Sequence, residues 1–175
     1  MWNVRHTSGA VSDTGASGGD AGRVRIERVG EDDLAELLPL LRGYCDFYEV
    51  SPSDDALLAL ARALIADPER EGVQLLARDG DSRAVGFATV YWSWATTSAQ
   101  RIGVMNDLYV APEARGSGAA EALVEACRDE CARHGAGKLT WQTAPDNAPA
   151  QKLYDRIGAH REQWVDYWVR VTPPE

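Results

Sequence analysis

The sequence predicts one domain of the α/β class, and three observations predict it. Apolar residues alternate at two-residue spacing in some segments and recur at three- and four-residue spacing in others. These two patterns trade places along the chain, in the order strand, two helices, three strands, helix, strand, helix, strand. The 175 residues, 45% of them apolar, suffice for one full core, and no internal repeat divides them.

Each element follows from its residues. Residues 1–22, rich in glycine, serine and aspartate and without an apolar h-region, are expected to form a leader outside the domain, which spans 23–175. The domain begins with a short strand over Arg23–Val29. Leu34, Leu37, Leu38, Leu41 and Tyr44 or Cys45 make a helical stripe, which Pro39 is expected to bend or divide. A serine or an aspartate caps a second helix before Leu57, Leu58 and Leu60. Val73–Ala77 and Ala84–Ala95 read as a hairpin joined by the Asp79–Ser82 turn, and a further strand ends at Pro112. From Ser117 the spacing turns helical, with Ala120, Leu123, Val124, Cys127 and Cys131 on one stripe. Lys138–Ala144 reads as a strand, Asn147–Gly158 as a helix and Arg161–Val171 as a final strand.

Charge and cysteine usage narrow the function classes. Eighteen basic against 27 acidic residues give a net charge of −9, and the bases are scattered singly. Such a surface repels nucleic acid and anionic membranes and favours cationic ligands. No apolar run approaches the length of a membrane span. Three cysteines, none in C-x-x-C spacing, suit a reducing compartment, so a cytoplasmic location is expected. Cys127 and Cys131 are four apart with no second ligand pair, so they read as core residues and no metal is expected.

The stretch Arg115-Gly116-Ser117-Gly118 stands at the mouth of a helix. The first turn of a helix has unpaired N–H groups and the positive end of the dipole. Two glycines let that backbone approach phosphate oxygens, and Arg115 adds a forked cationic donor. A Rossmann loop needs a different glycine spacing, and a triphosphate loop needs a lysine and a hydroxyl where Ala119 and Ala120 stand. A phosphate ligand without triphosphate chemistry fits best.

"VMNDLYVAPEARGSGAAEALVEAC", with its R-G-x-G-x-A core, resembles motif A of the GNAT superfamily of acetyl-CoA-dependent N-acetyltransferases, and "LTWQTAPDNAPAQKLYDRIGA" resembles motif B. The likeness extends over residues 23–171 and is closest to the histone and polyamine acetyltransferase-like group. It implies a mixed, mostly antiparallel sheet splayed at its centre, with helices on both faces. It implies that the Arg115–Ala120 amides (Arg115, Gly116, Ser117, Gly118, Ala119, Ala120) hold the pyrophosphate of acetyl-CoA. Leu108, Tyr109 and Val110 would pair with the pantetheine arm as an added strand, Asn147 would bind that arm, and Tyr154 would meet the sulfur. Tyr154 is the expected general acid. Related enzymes often carry Glu-Asp where this chain has Asn106-Asp107; Asn106 cannot accept a proton but can orient a water. Asp107 serves as base only where a pleat or bulge turns it inward. Tyr44, Phe47 and Tyr48, with Trp92 and Trp94 two apart on one strand face and Trp141, are expected to wall the acceptor pocket, with Asp46 and Glu49 adding negative charge. The expected reaction is acetyl transfer to a small cationic primary amine. The alternatives are a protein acetyltransferase and a CoA-binding sensor without turnover. Trp164 and Trp168 on the last strand suggest a homodimer contact.

Overall fold

The computed structural model describes residues 24–171, so the 1–22 leader lies outside the described residues. Strands β1 (Arg25–Arg28), β2 (Gly72–Arg78), β3 (Ala84–Ala95), β4 (Gln100–Val110) and β5 (Lys138–Thr140) form one sheet in sequence order. The first four run antiparallel and β5 runs parallel to β4, as the mixed sheet requires. Helices α1 (Leu34–Phe47) and α2 (Asp54–Ala66) cover one face, and α3 (Ala119–Arg133) and α4 (Ala148–Arg156) the other.

The two cores follow from pleating. On β2 and β3, Val73, Leu75, Ala88 and Val90 point to α3, where they meet Leu123, Val124, Cys127 and Cys131. Leu76 and Phe87, one step out of phase, meet Leu37, Leu41 and Ala61 of α1 and α2. Cys127 and Cys131 are buried free thiols, and burial raises both above the ordinary thiol range. Pro39 sits within α1 on its exposed side and, of the expected bend or division, does not divide the helix.

Buried charge is matched. The Arg78 guanidinium bonds Glu27, Asp33 at 2.7 Å and Glu36 at 2.9 Å, tying β1, the start of α1 and β2 together. Glu130 on α3, 3% exposed, takes both Arg28 and Arg133.

The sheet opens between β4 and β5. Only Ile102, Gly103 and Val104 pair with β5, through Lys138, Leu139 and Thr140. From Met105 to Val110, β4 keeps β3 on one side, and among the described residues no strand lies on the other. The strand expected over Lys138–Ala144 stops at Thr140, because beyond it the chain leaves β4.

The final strand over Arg161–Val171 does not form. Those residues make no backbone ladder, and Trp164, Tyr167 and Trp168 stand 81%, 91% and 84% exposed. Strand-favouring side chains alone do not make a strand; it needs a partner edge, and here only side chains tie the segment to β5 and the chain just after it, through Lys138–Glu162 and Gln142–Asp166. Among the described residues no helix is long and apolar enough to cross a membrane.

Candidate active site

The loop between β4 and α3 places its glycines where only glycine is comfortable. Gly116 has φ +83° and Gly118 φ +89°, and a Cβ built on either meets nothing within 4 Å. The loop therefore presents bare backbone to open space. Gly118 is the N-cap of α3, and the first intrahelical bond of this turn runs from the Ala122 N–H to the Gly118 carbonyl. The Ser117 hydroxyl accepts from the Ala119 N–H at 3.3 Å, and the Ala120 and Glu121 amides, in the first turn, have no intrahelical carbonyl to bond. Arg115 folds back, its Nε donating to the Val110 carbonyl at 3.4 Å. The cationic side chain thus lies along the open β4 edge, and the residues fit a ligand with a diphosphate at the loop and an extended arm along Leu108–Val110.

A β-bulge stands at the point of divergence. Val90 pairs with Met105 and Thr89 with Asp107, so Asn106 is the extra residue. Its consequence is the orientation of Asp107. Met105 faces α3, and without the bulge Asp107 would face α3 as well; the inserted residue turns it to the α1 side, opposite Thr89. The Asn106 amide donates to Asp107 Oδ1 at 3.0 Å. The Tyr44 hydroxyl of α1 lies 3.5 Å from the Asn106 carbonyl, and its ring packs edge-on against Tyr48 at 5.0 Å. Burial first, then the Asp107 charge, push the Tyr44 phenol far above its usual range.

Tyr154 of α4 is half-buried, its ring 5.1 Å from Trp141 in an edge contact. Burial, with a smaller effect of nearby Tyr48, raises its pKa, so the phenol keeps its proton at neutral pH. Asn147 caps α4, its Oδ1 accepting from the Ala150 N–H at 3.3 Å.

The structure thus brings together Asp107, Asn106, Tyr44 and Tyr48, and sets Tyr154 and Trp141 beside the opening. Trp92 does not join them. It lies on the α3 face, one pleat out of phase with Thr89, stacked on His134 at 4.0 Å and donating to the Pro68 carbonyl at 2.8 Å. Trp92 is therefore corrected from pocket wall to core edge. Two residues not singled out from the sequence, Thr89 and Tyr91, share the Asp107 face; the polar threonine inside the apolar run Phe87–Val90 was the available signal.

A family model described as the acetyltransferase (GNAT) family matches residues 36–159. The chain belongs to the GNAT acetyltransferase family. The matched range holds the glycine loop, the bulge and Tyr154 of this GNAT enzyme. The uncharacterized N-acetyltransferase YhfO of Bacillus subtilis (strain 168) is 31% identical over 85% of this chain and 98% of its own. A thialysine N-epsilon-acetyltransferase of Bos taurus is 25% identical over 83% of this chain and 89% of its own. The solved aminoglycoside N-acetyltransferase AAC(6')-Iy in complex with CoA shares the fold, with a TM-score of 0.74, 20% identity and coverage of 85% and 95%. Among the described residues no group of three His, Cys, Asp or Glu side chains could hold a metal ion.

Proposed function

We propose that this GNAT enzyme transfers acetyl from acetyl-CoA to the primary amine of a small cationic molecule by direct attack on the thioester. The observation that carries the reading is the bulge at Asn106, which puts the Asp107 carboxylate among tyrosines beside the opening of the sheet. Named relatives with thialysine and aminoglycoside acceptors support a small amine, and a CoA complex of the same fold supports the cosubstrate.

Acetyl-CoA supplies an acyl carbon carrying a thiolate leaving group. The loop amides at Gly116, Gly118 and Ala120 and the Arg115 side chain hold the diphosphate, and the edge from Leu108 to Val110 holds the arm, with Asn147 behind it. An ammonium with a pKa near 10.4 must lose a proton, at a cost of about 4.6 kcal/mol at pH 7. Asp107 attracts the ammonium and accepts that proton through a water oriented by Asn106. Backbone amides near Leu108 face the negative charge that develops on the carbonyl oxygen. As the new C–N bond forms and the C–S bond breaks, the Tyr154 hydroxyl gives its proton to the departing sulfur; the second proton shed by the acylated nitrogen restores the phenol by way of solvent, and Asp107 releases the first to solvent. Tyr48 and Trp141 bound the acceptor and the sulfur sides.

The test is thiol release from acetyl-CoA with polyamines, aminoglycosides, amino acids and basic peptides. Saturable release with small cationic amines is expected; release with peptides alone favours protein acetylation, and CoA binding without release by any amine favours a sensor. The enzyme is also proposed to be cytoplasmic and to pair with a second copy through the exposed Trp164, Tyr167 and Trp168 beside the bare β5 edge. Light scattering at twice the chain mass is expected, and a monomer overturns the pairing.

A further inference from the structure

The long strand β3 runs under the whole acceptor side, and its alternation is regular there. Phe87 packs among α1 residues, Ala88 faces α3, Thr89 lies opposite Asp107, Val90 faces α3, and Tyr91 returns to the α1 side. Tyr91 pairs with Val104, the last β4 residue that also pairs with β5. Its ring therefore stands at the inner end of the opening, one pleat from Thr89 and diagonal to Asp107 across the bulge. Tyr44 approaches the same place from α1, its hydroxyl over the Asn106 carbonyl.

We propose that Tyr91 is a specificity-determining residue of this site, its phenol oxygen accepting one N–H of the acceptor's ammonium while Asp107 supplies the counter-charge and the Asn106 carbonyl accepts a second N–H. This rests on the acetyl-transfer reading above and adds an acceptor class to it. A primary ammonium has three N–H donors: two meet the Tyr91 and Asn106 oxygens, and the third is the proton given up through water to Asp107 before attack. An N-methyl ammonium has two donors and one methyl group, so it leaves one of these oxygens without a partner and presses a methyl group on it. A site that hydrogen-bonds every donor rejects the analogue lacking one far more strongly than an apolar pocket does. Burial and the Asp107 charge push the Tyr91 phenol up to about 12, so it stays neutral beside the carboxylate across the working range. Tyr91 belongs to neither the glycine loop nor α4, so its replacement is expected to leave acetyl-CoA binding and sulfur protonation unchanged.

The experiment compares 1,5-diaminopentane with its N,N′-dimethyl derivative as acceptors, for wild type and Tyr91→Phe. The phenylalanine keeps the ring and removes only the oxygen. In wild type, kcat/KM should favour the primary diamine by at least about tenfold, the effect of one hydrogen bond to a charged group. In Tyr91→Phe that preference should shrink by about tenfold through KM for the amine, with KM for acetyl-CoA unchanged. A merely structural tyrosine would lower the melting temperature or kcat for both amines alike and leave the ratio where it was; that result overturns the proposal. Absence of turnover by wild type with every amine overturns the transfer reading itself and this one with it, whereas turnover with an unaltered preference removes only Tyr91. Should Tyr91→Phe fold poorly, Tyr91→Trp, which keeps an aromatic ring and loses the acceptor oxygen, must show the same loss of preference.

Discussion

In the proposed reaction, Asp107 and Tyr154 divide the labour of the site by environment. Asp107 keeps a bond from the Asn106 amide and lies on the aromatic side, where a cation finds a carboxylate and ring faces together. Tyr154 is held as a neutral phenol by burial. Its folded pKa is raised, so the protonated donor persists at and above the ordinary tyrosine range. The rate should accordingly show no alkaline loss below pH ~10 that belongs to this group. Tyr154→Phe should lower kcat by about 100-fold or more while CoA affinity changes little, measured by steady-state thiol release and by titration. An unchanged kcat would remove the phenol from sulfur protonation. The sequence placed Tyr154 and Asp107 as candidates through motif likeness, but the side to which Asp107 turns depends on one inserted residue in β4, which alternation alone does not locate.

At the scale of elements, the junction of β4 and α3 was legible because its chemistry is local. Glycines with positive φ, a serine folding onto the next turn and a stop at Pro112 are all written within ten residues. Gly118→Ala should cost about 1 kcal/mol of stability, since the added methyl group meets no neighbour and only the left-handed backbone objects. Chemical denaturation measures it, and a loss of several kcal/mol would point to packing that this loop does not have. The terminal segment was misread for the opposite reason. Trp164, Tyr167 and Trp168 favour a strand wherever an edge accepts one, and whether an edge is offered depends on β5, which ends at Thr140. Trp92 shows the same limit: its distance from Trp94 fixed a shared face, but which face required the register with β2 and β4.

The whole molecule is held together by two apolar layers and by matched ions between elements far apart in sequence. Glu130 reaches Arg28 across 102 residues and joins α3 to β1. Burial pushes its carboxyl up, yet the Arg28 and Arg133 hydrogen bonds and charges outweigh that and hold it below its ordinary value. A carboxyl depressed on folding stabilises the protein above its unfolded pKa and loses that contribution as pH falls through the folded value. Glu130→Gln should therefore destabilise the fold at neutral pH by about 2 kcal/mol. The difference from wild type should narrow below pH ~4, as thermal melts across pH will show. The acidic surface and the glycine loop are at odds in sign, since a net charge of −9 opposes a diphosphate everywhere except where helix α3 and Arg115 present positive ends. The most direct measurement of the account is calorimetric titration of coenzyme A into the wild type and into a folded Gly118→Val variant. One saturable site per chain in the wild type, weakened at least tenfold in the variant, is the predicted result; no heat of binding, or equal affinity in both proteins, contradicts it.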